Sequence, residues 1–133
     1  MYLSSTPIIC QHLPYNFPYN PFLSHFYLRI VYRDVKPENF LLGQDKDFNI
    51  VFIVDFGLSK SYLDSSSKQH IPCKKQNHFT GVARYMSING HRCLELSRKD
   101  DLESIGYVFL YFLKQGKLPW SGLRGLSLKE RYQ

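Results

Sequence analysis

The sequence predicts an α+β fold in which a short β-hairpin is followed by a mainly helical region. Two apolar runs, residues 39–42 and 50–54, flank a polar turn at residues 43–47, which is the pattern of two paired strands. Residues 97–115 then have the length and the boundary signals of one long helix. With 133 residues, the chain has room for one compact domain.

The predicted helix has a recognisable start and end. Ser97 and Asp100 have the spacing of a capping box, and Asp100 and Asp101 place negative charge in the first turn, where the helix dipole favours it. Gly116 favours an end just after residue 115. The later turns are apolar on every side, so we expect the helix to be buried centrally. These apolar residues are Ile105, Val108, Phe109, Leu110, Phe112 and Leu113. A second helix is predicted from near Ser127.

The chain has two unlike parts. Residues 1–28 contain no Asp, Glu, Lys or Arg and hold four of the seven prolines, which disfavours helices and central strands. We interpret residues 1–28 as an irregular segment rich in proline and aromatic residues; a docking segment and a mis-joined piece of the gene are the alternatives. Residues 29–133 have the composition of a globular domain, within which the polar stretch 58–80 predicts a long surface loop.

Charge and cysteine content narrow the class of protein. The net charge of +6 favours acidic peptides, phosphate groups or nucleic acid as partners. No zinc-finger spacing or RNA-binding motif is present, so we predict no nucleic-acid partner. Three widely separated cysteines favour an intracellular location, in the cytoplasm, with the nucleus as a second compartment. No apolar run is long enough to span a membrane. The oligomeric state stays open.

The chemistry is carried by an ordered set of side chains around the predicted hairpin. Phosphoryl transfer needs a carboxylate to orient the attacking hydroxyl, a cation near the phosphate and oxygen ligands for Mg²⁺. Asp34 fits the first role and Lys36 the second, while Asn39 and Asp55 supply oxygen ligands. A hairpin would bring Asn39 and Asp55 together from opposite strand ends. Separately these residues read as a solvated ion pair, a turn residue and a strand-end cap. The order R-D-x-K-x-x-N, strand pair, D-F-G favours a kinase site.

Residues from about Ile30 to Gln133 resemble the casein kinase I family of serine/threonine protein kinases. The segment Ser87-Ile88-Asn89 stands where typical kinases have Ala-Pro-Glu, and this substitution marks the family. The other matching segments are His70-Ile71-Pro72, Thr80-Gly81, Ala83-Arg84-Tyr85, residues 100–104 and Leu118-Pro119-Trp120. Tyr32, Met86 and residues 128–133 resemble the gamma branch of the family.

The resemblance implies a protein-kinase-like fold, with residues 29–133 forming part of the mainly helical large lobe and the hairpin holding the catalytic and magnesium loops. It implies ATP-dependent phosphoryl transfer to protein Ser or Thr. Asp34 and Lys36 would be catalytic, Asn39 and Asp55 would bind Mg²⁺, and Lys36 would join those two in contacting the phosphates of ATP.

The resemblance also implies roles around the site. Four residues would support it: Arg33, Phe56, Gly57 and Asp101, the last by hydrogen bonds to the backbone of the catalytic loop. Arg84 and Arg131 would bind an anion of acidic or phosphorylated protein substrates, because arginine binds phosphate as a bidentate fork. The alternative is that both arginines are ordinary surface charges.

Several kinase elements have no counterpart in the sequence. No G-x-G-x-x-G loop and no V-A-I-K lysine is present, so the match covers roughly a third to two-fifths of a kinase domain. Val82 replaces a family threonine that bonds the catalytic aspartate and lysine. We therefore expect the chain alone to phosphorylate nothing. A non-catalytic module that binds acidic or phosphorylated peptides, and a truncated gene product, are the alternative readings. Apolar side chains that face the absent elements should be exposed: Phe40, Leu42, Ile53 and Phe56.

Overall fold

The computed structural model of the protein describes residues 29–122. The strands are β1 (Ile30–Val31), β2 (Phe40–Leu42), β3 (Val51–Ile53) and β4 (Lys60–Ser61); the α-helices are α1 (Ile88–His91) and α2 (Arg98–Leu113). Short 3₁₀ helices cover Pro37–Asn39 and Asp45–Asp47. The predictions for residues 1–28, for Arg131 and for a helix from Ser127 lie outside the described residues.

Strands β2 and β3 form the hairpin that the apolar runs predict. Phe40 pairs with Ile53 and Leu42 with Val51 in an antiparallel register. The turn is closed by the amide of Gly43, which donates to the carbonyl of Ile50 at 2.9 Å. A Cβ atom at Gly43 would overlap the backbone of the turn, so this position requires glycine. The hairpin therefore fixes which residues emerge at its open end.

Strands β1 and β4 form a second antiparallel pair, with Val31 opposite Lys60. The polar composition of residues 58–80 predicts one surface loop, and β4 is a correction to that prediction. The rest of the stretch is irregular but attached, because Lys75 forms a bridge with Leu94 and Lys60 Nζ lies 2.6 Å from Glu95 Oε1. Glu95 also accepts a bond from Gln76. One buried carboxylate thus holds both ends of the loop.

A small aromatic core lies between the hairpin and α2. Its buried members are Tyr32, Val35, Tyr85, Val108 and Leu118. Phe40, Ile53 and Phe56 pack against this core, so the expectation that they lose their packing is wrong for these three. It is confirmed for Leu42, which is 74% exposed. Strand alternation puts Phe40 and Leu42 on the same face, so the difference comes from position along β2, where only Phe40 lies beside the core.

Helix α2 begins and ends with defined caps. Asp100 Oδ2 accepts from the amide of Ser97 at 2.8 Å, and Asp100 Oδ1 accepts from the hydroxyl of Ser87 at 2.9 Å. Burial opposes ionisation of Asp100, but these bonds outweigh it and hold the pKa of that carboxyl below its usual value. At the other end, Gln115 adopts a left-handed φ of 54° and Gly116 donates to the carbonyl of Tyr111 at 2.8 Å. This is a Schellman end, and its left-handed residue lies one position before the predicted glycine.

The prediction of central burial for α2 is wrong within the described residues. Val108 is 4% exposed and faces the core, whereas Phe109 and Leu113 are 59% and 78% exposed. The helix has apolar residues on every side, but only one of its faces has neighbours to pack against among residues 29–122. In this part of the chain, no helix is long and apolar enough to cross a membrane.

Candidate active site

The loop that carries Asp34 is attached to the start of α2. Both carboxylate oxygens of Asp101 accept backbone bonds from this loop, from Tyr32 N at 2.7 Å and from Arg33 N at 2.9 Å. Asp101 is 3% exposed, so water competes little for these bonds. Arg33 has a left-handed φ of 68°, and its Nε donates to the carbonyl of Leu58 at 2.7 Å. The helix therefore fixes the backbone immediately before Asp34.

Asp34, Lys36 and Asn39 meet at one carboxylate. Lys36 Nζ lies 2.7 Å from Asp34 Oδ2, and Asn39 Nδ2 donates to the same oxygen at 3.0 Å. Asn39 also donates to the backbone carbonyl of Asp34 at 3.0 Å. The bond to Asp34 raises the pKa of Lys36, so the ammonium stays charged at neutral pH. The three residues thus form a preorganised acid–cation–amide cluster in which Asp34 is 5% exposed.

The hairpin places Asp55 beside Asn39. Val54 N donates to the carbonyl of Asn39 at 3.1 Å, which extends the ladder one step beyond the paired strands. Asp55 follows with a left-handed φ of 58° and its Oδ1 accepts from Gly57 N at 3.2 Å. The backbone therefore brings the two predicted magnesium ligands to the open end of the hairpin. A carboxylate and an amide oxygen fit Mg²⁺, which commonly keeps several waters and takes its remaining ligands from phosphates.

Tyr32 joins the loop that carries Asp34 to the segment that follows β3. Its side chain is 1% exposed, its hydroxyl donates to the carbonyl of Val54 at 2.5 Å, and its ring meets Phe56 edge to face at 5.2 Å. Burial raises the pKa of Tyr32, so the hydroxyl remains a donor. This connection was not predicted from the sequence, in which Tyr32 serves only as a family marker. A tyrosine directly before R-D was the available signal.

Phe56 and Gly57 follow Asp55 in the segment after β3. Phe56 packs on the core through Tyr32, and Gly57 binds back to the Asp55 carboxylate. Val82 lies with Arg33, Val35 and Asp101 around a small cavity beside the residues that flank Asp34. The valine side chain has no hydrogen-bond donor, so it cannot donate a hydrogen bond to Asp34.

Arg84 lies in the segment before α1. Its side chain is exposed, while its backbone carbonyl accepts from Trp120 Nε1 at 2.9 Å. Within the described residues, the structure thus groups Asp34, Lys36 and Asn39 directly and Asp55 through the hairpin. Within this part of the chain, no hydrogen bond or ion pair joins Arg84 to that group.

The chain belongs to the protein kinase family, because residues 23–132 match the sequence profile of the protein kinase domain. Within that family, the resemblance to casein kinase I is confirmed. Over 106 residues the chain is 51% identical to Casein kinase I homolog 1 of the fission yeast Schizosaccharomyces pombe, an alignment that covers 78% of this chain and 24% of that protein. The chain therefore spans about a quarter of the length of the curated relative that it matches.

Proposed function

We propose that this chain supplies the catalytic and magnesium loops of a serine/threonine protein kinase of the casein kinase I type, which transfers phosphate from ATP to protein hydroxyls. The single observation that supports this proposal best is the cluster at Asp34. A buried carboxylate, a charged lysine and an amide converge there, and the hairpin brings Asp55 to the same end. A solvated surface pair would not be buried and bonded in this way.

Each member of the cluster has a proposed role. The Asp34 carboxylate orients a substrate hydroxyl and accepts its proton as the hydroxyl oxygen bonds to the γ-phosphorus and the bond to the leaving phosphate oxygen breaks. The ammonium of Lys36, held 2.7 Å from Asp34, offsets charge on the transferred phosphoryl group. Asn39 and Asp55 would hold Mg²⁺ through their side-chain oxygens. When bound, this ion neutralises charge on the phosphates of ATP.

Activity of the chain on its own is a separate matter, and we propose that it is absent. The sequence contains no glycine-rich loop and no partner lysine to hold the triphosphate. Val82 leaves Asp34 without a further hydroxyl donor, which we propose lowers the order of the loop. Transfer would then require elements that this sequence does not contain.

A domain-swap experiment tests the proposal. Residues 29–133 of this chain replace the matching region of the fission yeast relative, and transfer of labelled phosphate from ATP to casein is measured. We expect the swapped protein to label casein and the 133-residue chain alone to give no labelling. Asp34→Asn in the swapped protein should lower the rate about 100-fold or more. Asp47→Asn, a change at an exposed position of the hairpin turn, is the matched control. A swapped protein that folds but transfers no phosphate would refute the proposal.

A second candidate is a non-catalytic module for acidic or phosphorylated peptides. The exposed Arg84 favours it, because the bond from Trp120 that fixes its backbone involves no ATP-binding element. Saturable binding of a phosphoserine peptide to the chain, lost on Arg84→Ala, would support this candidate. Equal binding by the variant would exclude Arg84 as the site. For either function we propose an intracellular location, which fits the free thiols of Cys73 and Cys93.

A further inference from the structure

The segment 84–88, which carries Arg84, is tied to the rest of the molecule by two backbone contacts. At its start, the indole N–H of Trp120 donates to the carbonyl of Arg84 at 2.9 Å. At its end, the amide of Ile88 donates to Glu103 Oε1 at 2.9 Å. Between them, the hydroxyl of Ser87 is bound to Asp100. The backbone is thus fixed while the Arg84 side chain remains exposed.

The two ties belong to one network on α2. Tyr107 and Glu103 are four residues apart and lie on the same helix face, where the Tyr107 hydroxyl donates to Glu103 Oε1 at 2.7 Å. The ring of Tyr107 meets Trp120 edge to face, with centroids 5.1 Å apart. Burial and the contact with Glu103 raise the pKa of Tyr107 to about 12, so its hydroxyl stays a donor at neutral pH. Trp120 is therefore held in place although it is 37% exposed.

This arrangement affects how Arg84 can bind an anion. An arginine that binds a phosphate must give up conformational freedom of both its backbone and its side chain. Because Trp120 already fixes the carbonyl of Arg84, the backbone loses little further conformational entropy when an anion binds. The bidentate geometry of the guanidinium requires a defined direction of approach, so a fixed backbone improves recognition of phosphate more than of a single carboxylate.

We infer that Trp120 is a positioning residue for the substrate anion site: through the carbonyl of Arg84 it presets that side chain for a phosphorylated residue of the substrate. The inference rests on the proposed role of Arg84 and adds the residue that gives the site its selectivity. Trp120 touches no substrate in this assignment. Its effect passes through the Arg84 backbone.

The chain contains a single tryptophan, so its emission reports on Trp120 alone. The full chain is titrated with a phosphoserine peptide and with the same peptide unphosphorylated. Binding is followed by the anisotropy of labelled peptide and, separately, by tryptophan emission with unlabelled peptide. We expect the emission to change only with the phosphopeptide, to saturate over the same concentrations as the anisotropy, and to stay constant in Arg84→Ala.

Trp120→Phe removes the N–H donor and keeps an aromatic ring beside Tyr107. Losing one hydrogen bond at this point should weaken phosphopeptide binding by about 3-fold to 10-fold. Binding of the unphosphorylated peptide should change little, so the ratio of the two affinities falls. Phe109→Leu is the matched control, since Phe109 is an exposed aromatic side chain on α2 and should leave the ratio unchanged.

The outcomes separate this inference from the proposed function. Phosphopeptide binding that depends on Arg84 but leaves the emission and the Trp120→Phe ratio unchanged would overturn the inference alone. A chain with no saturable phosphopeptide binding would overturn the Arg84 site and the inference together. If Trp120→Phe fails to fold by circular dichroism, the emission titration of the unmodified chain decides, because it needs no variant.

Discussion

Replacing Asp101 with alanine removes the contact that joins α2 to the loop that carries Asp34. In the native chain, its carboxylate accepts from Tyr32 N at 2.7 Å and from Arg33 N at 2.9 Å. A hydrogen bond to a charged group contributes about 1.5–3 kcal/mol, so the two together contribute about 3–6 kcal/mol. Arg33 is only half-buried, and water can replace the lost acceptor there. We therefore expect the free energy of unfolding to fall by about 3 kcal/mol.

This loss is large compared with the whole stability of a small domain, which is about 5–15 kcal/mol. The assay is urea unfolding followed by far-UV circular dichroism, with the free energies extrapolated to water. Asp101→Asn keeps one acceptor oxygen and should lose about half as much. Asp47→Ala, an exposed position in the hairpin turn, controls for the loss of a carboxylate. A loss under about 1 kcal/mol for Asp101→Ala would refute the reasoning, because buried amides without acceptors cost more than that.

Three further changes test the caps and the loop. The pKa of Asp100 is lowered in the folded state, so this carboxylate stabilises the fold above about pH 4 and the stabilisation is lost as the pH falls through the folded pKa. In Asp100→Asn, the free energy of unfolding should therefore fall less steeply as the pH is lowered. An equally steep fall would contradict this. Gln115→Gly should raise the free energy of unfolding by about 0.5–1 kcal/mol, because Gln115 has a left-handed φ of 54° that glycine adopts without strain. Thermal unfolding measures this change. A lower Tm would contradict the assignment of a Schellman motif. Glu95→Gln removes the 2.6 Å ion pair with Lys60 and should cost about 1–2 kcal/mol in urea unfolding. The same variant should speed proteolysis within residues 58–80, and equal cleavage would show that Glu95 does not hold the loop.

The hairpin and α2 could be predicted because each has a strong local signal. Apolar runs around a polar turn specify β2 and β3, and the serine–aspartate pair at residues 97 and 100 specifies the start of α2. The pairing of β1 with β4 could not be predicted. Each strand has two residues, and their partners are about thirty positions apart, so no period develops in either segment. Helix α1 could not be predicted either, because its four residues are too few to show a helical period.

The site was more predictable in its members than in its connections. Asp34, Lys36, Asn39 and Asp55 carry a motif whose order and spacing depend on chemistry, so the sequence alone predicts them as site residues, and their roles stay predictions. The bond from Tyr32 to the carbonyl of Val54 joins segments that are 22 residues apart, and only the folded chain shows it. The exposed face of α2 was mispredicted because hydrophobicity reports what a residue prefers and not which neighbours it has.

The most direct test of the phosphoryl-transfer site separates Asp34 from Asp55 in the domain-swapped protein. The rate of phosphate transfer to casein is measured against Mg²⁺ concentration for the unmodified protein and for Asp34→Asn and Asp55→Asn. Asp34→Asn should lower kcat about 100-fold and leave the half-saturating Mg²⁺ concentration unchanged. Asp55→Asn should raise that Mg²⁺ concentration about 10-fold or more, because it removes a charged ligand. Full activity in Asp34→Asn, or an unchanged Mg²⁺ requirement in Asp55→Asn, would contradict the assignment of these two carboxylates.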